Sequence, residues 1–363
     1  MKLTFFIGGL SGGGAERVVC NLANYLIMRG HNVSVMTMVD NKQAYFLNEK
    51  VKRISLIKQN ERKGFIFDSI VRFCRLRKQM IRSETDTFVV FLPTTTILML
   101  FLRHMTKAKV IVSERVNPGS YSGVEKVILK KLAHRADAYV FQTKNIQQWY
   151  GNSVGSAKSV VIPNAINEEF LKEKYVGERE KRIVGAGRLT NQKNFTLLIK
   201  AFAGIAPQFP DYKLVIYGEG PEKQALVELV EDLHINNRVL FPGYVTNLGE
   251  EIKSASLFVL SSDFEGMPNA LMEAMALGVP CISTDCDGGG ARFLIDNGKN
   301  GFLIEKGNVD QLKTKMIEIL SDTELANKLS NEAVKIQDLL SPEKVYRQWE
   351  QLIMDIGSKQ MKK

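Results

Sequence analysis

Apolar and polar positions alternate along this chain in two rhythms. "KLTFFIGG" and "HNVSVMTMV" are short β-rich runs, and between them "GAERVVCNLANYLIMRG" sets Val18, Val19, Leu22, Ala23, Leu26 and Ile27 at helical spacing. The pattern predicts strand, helix, strand. "TFVVFLP" (87–93), "KVIVSER" (109–115) and "AYVFQT" (138–143) continue as apolar strands with helix-like segments between them, and "SVVIPNAI" (159–166) closes the series. Strands that are apolar throughout, rather than at every second position, belong in a parallel sheet covered on both faces. After the polar stretch "NEEFLKEKYVGEREK" the series starts again with "RIVGAGRL", "KLVIYGEG", "RVLFPGYV", "LFVLSS", "PCISTD" and "GFLIE". The expectation is an α/β protein of two Rossmann-like, doubly wound domains in tandem, facing each other across a cleft and joined near residues 167–181. Ligands of open α/β sheets sit beyond the C-terminal strand ends, so chemistry is sought there.

Composition adds a charge asymmetry. A chain of 363 residues suits two domains of ordinary size. Residues 1–170 hold 25 Lys and Arg against 12 Asp and Glu, a net of +13; residues 171–363 hold 24 against 27, a net of −3, and the two make the chain's +10. A basic first half suits nucleic acid, an anionic membrane surface or a phosphate-bearing substrate. Nucleic acid is disfavoured, because the aromatics do not interleave with the basic residues as stacking platforms. Cys20, Cys74, Cys281 and Cys286 lack the spacing and partners of a zinc site and read as reduced thiols. The apolar start breaks into glycines too early for a signal peptide, and no run approaches the roughly 20 residues of a membrane span. The expected location is cytoplasmic.

Several strand ends carry residues suited to anions. "GGLSGGGAER" (8–17) leaves the first strand and opens a helix, where backbone N–H groups and the helix dipole favour an anion and Gly13 and Gly14 let it approach. It is neither a P-loop nor a GxGxxG fingerprint with its acidic partner; a turn serving only packing is the alternative. "GAGRLTNQKN" (185–194) opens the second domain in the same way, with Arg188 and Lys193 just beyond a strand, placed to neutralise a diphosphate unless they are merely a solvated pair. In "DFEGMPNALMEAMALGVP" (263–280), Glu265 lies in a loop, Gly266 follows, and Pro268 suits a helix start. The N–H groups of Met267, Asn269 and Ala270 then face a ligand as donors. Glu273, eight positions after Glu265, reaches back from the helix, and carboxylates of this kind accept hydrogen bonds from sugar hydroxyls.

The Glu265 to Glu273 spacing resembles the EX7E motif of retaining glycosyltransferases of the GT-B fold, and "SSDFEGMPNALMEAMALGVPCISTDCDGG" is similar to family 4 of those enzymes almost end to end. The resemblance spans the chain through "GGGAER", "VIPNAI", "GRLTNQKN", "YGEGPEKQAL" and "SPEKVYRQWEQLI". It implies an acceptor domain over residues 1–168, a nucleotide-sugar domain over 169–342, and a C-terminal segment, 343–363, returning to the first domain around Trp349. It further implies a nucleotide-sugar donor, UDP-linked by preference, with Arg188 and Lys193 at the diphosphate, Gly218 of "YGEG" beside the donor, Glu265 at the sugar and Glu273 at the ribose. No metal or other cofactor is implied. Such enzymes transfer by front-face displacement, without a protein nucleophile.

Two positions depart from the family. "SERVNP" puts Arg115 where relatives often have a histidine, so Glu114 and Arg115 become catalytic candidates, with a plain surface turn as the alternative. The turn after "STD" reads "CDGGGARFLI", where Gly288 to Gly290 remain able to cradle phosphate but the usual acidic residue is missing. Residues 62–82, "RKGFIFDSIVRFCRLRKQMIR", combine Phe65, Ile66, Phe67, Ile70, Phe73 and Leu76 with Arg72, Arg75, Arg77, Lys78 and Arg82. A helix of this composition suits an anionic membrane surface or a lipid diphosphate, against the alternative of a packed surface helix. Close resemblance to transferases of capsule, O-antigen and lipid-linked oligosaccharide assembly implies a polyprenyl-diphosphate-linked glycan acceptor and a peripheral position on the cytoplasmic face of the inner membrane. Rival readings are a sugar-nucleotide 2-epimerase on the same architecture and an inactive glycan-binding relative.

Overall fold

In a computed structural model that describes residues 1–172 and 174–358, the apolar runs pair into two all-parallel sheets. The chain divides into two compact units, Met1–Asn164 with the segment from Glu343 onward, and Ala165–Pro342. In the first unit β1 (Lys2–Ile7), β2 (Asn32–Thr37), β3 (Lys52–Ser55), β4 (Thr87–Phe91), β5 (Lys109–Glu114), β6 (Ala138–Phe141) and β7 (Lys158–Val161) are ordered β3-β2-β1-β4-β5-β6-β7. In the second, β8 (Glu180–Ala186), β9 (Lys213–Tyr217), β10 (Val239–Gly243), β11 (Ala255–Leu260), β12 (Cys281–Thr284) and β13 (Phe302–Ile304) are ordered β10-β9-β8-β11-β12-β13. Each sheet is therefore doubly wound, and its strand order reverses between β1 and β4 in one unit and between β8 and β11 in the other. Such a reversal opens a crevice at the C-terminal strand ends.

The continuous apolar runs are explained by burial on two faces. Alternate strand residues, Phe88 and Val90, Val110 and Val112, Tyr139 and Phe141, pack with Leu76, Met80, Leu129 and Tyr150 on one face of the first sheet. On the other face Phe91 meets Trp349 at 6.2 Å between ring centroids, which seats the C-terminal helix Pro342–Ser358 against the first unit. Glu350 of that helix accepts from Arg29 Nε at 3.3 Å and lies 3.2 Å from His31 Nε2. Strand β3 is absent from the sequence-based series, because "KRIS" is a half-exposed edge strand with no apolar run to mark it. At the edge of the second sheet β10 holds Pro242, as only an edge strand tolerates.

The basic segment forms the helix Phe65–Arg82. Leu76 is in the core and Phe73 lies against Phe101, so neither belongs to its outer surface. Phe65, Ile66, Phe67 and Ile70 are 84, 75, 45 and 58% exposed, which puts most of the helix's exposed apolar side chains at its beginning, with Ile81 exposed near its end. Arg75 is held by Glu61 at 2.6 Å, while Arg77 and Lys78 are exposed. No helix among the described residues is long and apolar enough to cross a membrane.

Candidate active site

In the second unit the reversal point lies between β8 and β11, and the loops leaving those strands are stitched together. Gln192 Nε2 donates to the Phe264 carbonyl at 2.9 Å, the Asp263 N–H to the Gln192 carbonyl at 2.9 Å, and Ser261 Oγ to the Lys193 carbonyl at 2.8 Å. Asn194 makes the sharp exit from the first loop in a left-handed conformation, φ 45°, which asparagine tolerates better than most residues. Its side chain caps the helix Phe195–Ile205 by accepting from Leu197 N–H and donates to Asp263 at 2.9 Å.

This stitching brings Lys193 and Glu265 together. Lys193 Nζ lies 2.6 Å from Glu265 Oε1, and the same oxygen accepts from Ser262 Oγ at 2.8 Å. The two side chains are only 17 and 11% exposed, so the pair is largely withdrawn from water. Arg188, Thr190, Gln192, Lys193, Pro221 and Glu222 line a cavity of about 470 Å³ beside it. Arg188 is exposed and, among the described residues, has no carboxylate partner. Glu265 already sits on Lys193 and Glu222 belongs to the lining, so the exposed Arg188 guanidinium supplies the basin's attraction for an anion's oxygens.

Close backbone approach explains the glycines. Gly218 has φ +132°, and a Cβ there would lie 1.9 Å from the Gly187 carbonyl oxygen. At Gly187, φ +152°, it would lie 2.9 Å from Lys193 Cε, so the lysine stem runs over bare backbone. A Cβ at Gly290 would come within 2.0 Å of the Gly266 carbonyl and 2.7 Å of Pro268 Cδ, which locks the "CDGGGA" turn against the "EGMP" loop. The Glu265 N–H also donates to the Asp287 carbonyl across that contact, at 2.9 Å.

Pro268 is the N-cap residue of the helix Asn269–Ala276, and Met267 is 6% exposed in the approach to it. Glu273 is 5% exposed within that helix, far from a solvated glutamate, and Ala270 packs at the edge of the core. The N–H groups of the helix's first turn lie outside its own ladder and carry the positive end of its dipole. Nearby Cys286 is buried; burial and the Glu265 carboxylate push its thiol up to about 12, which removes it as a nucleophile.

The first-unit candidates form separate groups. Gly13 is the extended N-cap of the helix Gly14–Met28, and a Cβ there would meet Glu16 Oε2 at 2.4 Å. That acidic side chain of the first turn already answers the dipole at this helix start. Glu114 and Arg115 do not make a surface turn: they are 3 and 8% exposed. Glu114 accepts from Tyr121 Oη and Tyr150 Oη, each at 2.5 Å, and burial raises its pKa. Arg115 donates to Ser113 Oγ and Asn164 Oδ1, both at 2.7 Å, with its guanidinium 5.3 Å from the Trp349 ring. Burial brings it down to about 9.

Sequence reading missed Ser262, Gln192, Asn194, Tyr121 and Tyr150: Gln192, Asn194 and Tyr150 act on residues 36 to 72 positions away, while Ser262 and Tyr121 bond carboxylates three and seven positions away in loops without a regular spacing. Asn194 alone left a local signal, an asparagine directly before a helix. Among the described residues no group of three or more His, Cys, Asp or Glu is placed to hold a metal ion.

Comparison with known proteins gives this arrangement its setting. The family model described as Glycosyltransferase Family 4 matches residues 12–170, and that described as Glycosyl transferases group 1 matches residues 167–336. A relative from Campylobacter jejuni, N-acetylgalactosamine-N,N'-diacetylbacillosaminyl-diphospho-undecaprenol 4-alpha-N-acetylgalactosaminyltransferase, is 30% identical over 92% of this chain and 93% of its own. A second from the same organism is an alpha-1,4-N-acetyl-D-galactosaminyltransferase whose name gives a GalNAc-extended diNAcBac-PP-undecaprenol as its substrate. It is 28% identical over 98% of this chain and 99% of its own. Among solved structures, Anabaena HepE in complex with UDP has a TM-score of 0.82 at 16% identity, covering 98% of this chain and 100% of that one.

Proposed function

The chain belongs to the GT-B glycosyltransferases of family 4, and from that premise we propose that it moves a hexose or N-acetylhexosamine from UDP to a polyprenyl-diphosphate-linked glycan with retention of anomeric configuration. The observation that carries this reading is the Lys193–Glu265 pair beside the Arg188-lined basin at the crevice of the second sheet. Arg188, Lys193 and the first turn of the helix Asn269–Ala276 would hold the diphosphate and stabilise the charge that grows on it as the C1–O bond breaks. Glu265 would bind the sugar and Glu273 the ribose. The acceptor oxygen attacks C1 on the face the diphosphate leaves, and its proton passes to the departing phosphate oxygen, so catalysis rests on positioning and electrostatics without a metal.

The relatives' lipid-linked substrates and the exposed Phe65, Ile66, Phe67 and Ile70 beside Arg77 and Lys78 support an acceptor on an anionic membrane. The enzyme would lie on the cytoplasmic face. The test is incubation with a panel of UDP- and GDP-sugars, with and without a prenyl-diphosphate-linked N-acetylhexosamine, in EDTA. Acceptor-dependent release of UDP is expected. Interconversion of the donor sugars without acceptor would identify an epimerase, no reaction a non-catalytic relative, and activity restored only by Mg²⁺ or Mn²⁺ would overturn metal independence.

A further inference from the structure

Glu114, the last residue of β5, and Arg115, which follows it, send their side chains to opposite faces, as successive residues of extended chain do. Glu114 follows Val110 and Val112 to the face holding Tyr121, Tyr139 and Tyr150; Arg115 follows Ser113 to the face holding Phe91 and Trp349. Both are buried, and isolated charges in such a place are expensive to hold where apolar residues would pack without penalty. Their partners show what is gained. Glu114 accepts from the Val116 N–H at 3.3 Å and from Tyr121 Oη, so it grips the loop after β5 at its first and last turns. Between those points Asn117 Oδ1 accepts from the Gly119 N–H at 2.9 Å, and Lys126 Nζ donates to the Gly119 carbonyl. Arg115 ties the root of the same loop to Asn164, the last residue of the first unit's N-terminal segment, where Gln142 Nε2 also donates at 2.9 Å. Residues 116–122 are thus a short loop at the C-terminal edge of the first sheet, fixed from beneath on both faces by buried charge. Its outer residues, Gly119, Ser120 and Ser122, are exposed.

We propose that Glu114 and Arg115 are positioning residues that hold the 116–122 loop as a preformed rest for the acceptor glycan, acting through the loop rather than touching substrate. This rests on the transferase reading above. It also replaces direct catalysis by these two residues with an indirect role, since neither side chain reaches solvent.

The test uses the full chain with Tyr121→Phe, Arg115→Met and Arg115→Lys. Tyr121→Phe and Arg115→Met should each raise the acceptor KM about tenfold, leaving the dissociation constant for UDP and the slow transfer of sugar to water unchanged. Arg115→Lys, which keeps the charge, should recover part of the loss. Hydrogen exchange of the 116–122 amides should quicken in the variants whose KM rises. Titration of the parent with a prenyl-diphosphate-linked N-acetylhexosamine in the absence of donor gives a separate reading, expected to weaken in the same variants. Parallel loss of UDP binding or of transfer to water, an unchanged acceptor KM, or a parent that does not bind the acceptor probe would each overturn the proposal. Failure of the parent to use any sugar nucleotide would instead defeat the donor reading and leave the acceptor titration to decide.

Discussion

Replacing Lys193 by alanine separates the charge of the proposed site from its shape. Lys193 Nζ sits 2.6 Å from Glu265 Oε1, with side chains 17 and 11% exposed. Removing one partner of a fully buried pair costs about 3–5 kcal/mol, because a charge is left uncompensated. Here Ser262 Oγ still donates to the carboxylate, and the residual exposure screens it, which brings the expected loss to about 2–3 kcal/mol. For a unit of this size that is a fall in Tm of about 4–12 °C. Loss of a preorganised cation facing the leaving diphosphate should lower kcat by about 10²–10³-fold. The two effects part in the double variant Lys193→Ala/Glu265→Gln: removing the orphaned charge should return most of the stability and none of the activity. Calorimetry and initial rates of UDP release on all four members of the cycle measure both. A single variant within threefold of the parent in kcat, or a double variant no more stable than Lys193→Ala, would refute the reasoning.

Glu273→Gln should mainly raise the donor KM and Glu265→Gln mainly lower kcat, as steady-state kinetics would show; the reverse would exchange their roles. Gly290→Ala should destabilise the second unit and weaken UDP binding together, because its Cβ would strike the Gly266 carbonyl; normal binding with a normal Tm would contradict that contact. Co-sedimentation with anionic liposomes should fall steeply with salt, and Arg77→Glu with Lys78→Glu should release the protein, each charge contributing about 1 kcal/mol. Binding as tight as the parent's would reduce the helix Phe65–Arg82 to a solvated surface. Glu114 has a raised pKa in the folded chain, so between its unfolded value and its folded one the native state holds the extra proton, and stability falls as pH rises through that window. Glu114→Gln removes this slope: its Tm relative to the parent's should improve from pH 4 upward, and a constant difference would mean that the carboxyl is not perturbed.

Fold and site differed in how legible they were for a physical reason. A strand buried on both faces announces itself as an apolar run, as the LVIY of β9 and the LFVL of β11 do. The edge strand β3, polar at Lys52 and Arg53, does not. Resemblance to family 4 came through local blocks, above all the one joining Glu265 to Glu273, because a loop, a helix cap and a buried helix must all fit within it. What no local block contains is a contact across 72 positions, such as the Lys193–Glu265 pair. Nor does it show which face of β5 an adjacent glutamate and arginine choose. Read in sequence, Glu114 and Arg115 look alike as charged residues beyond a strand, equally fit for solvent or for catalysis. Only the neighbours decide, and they are two tyrosines on one face and a tryptophan on the other. A charge whose surroundings could accept an apolar residue at lower cost, and which instead grips both ends of one loop, is explained by the geometry it imposes on that loop.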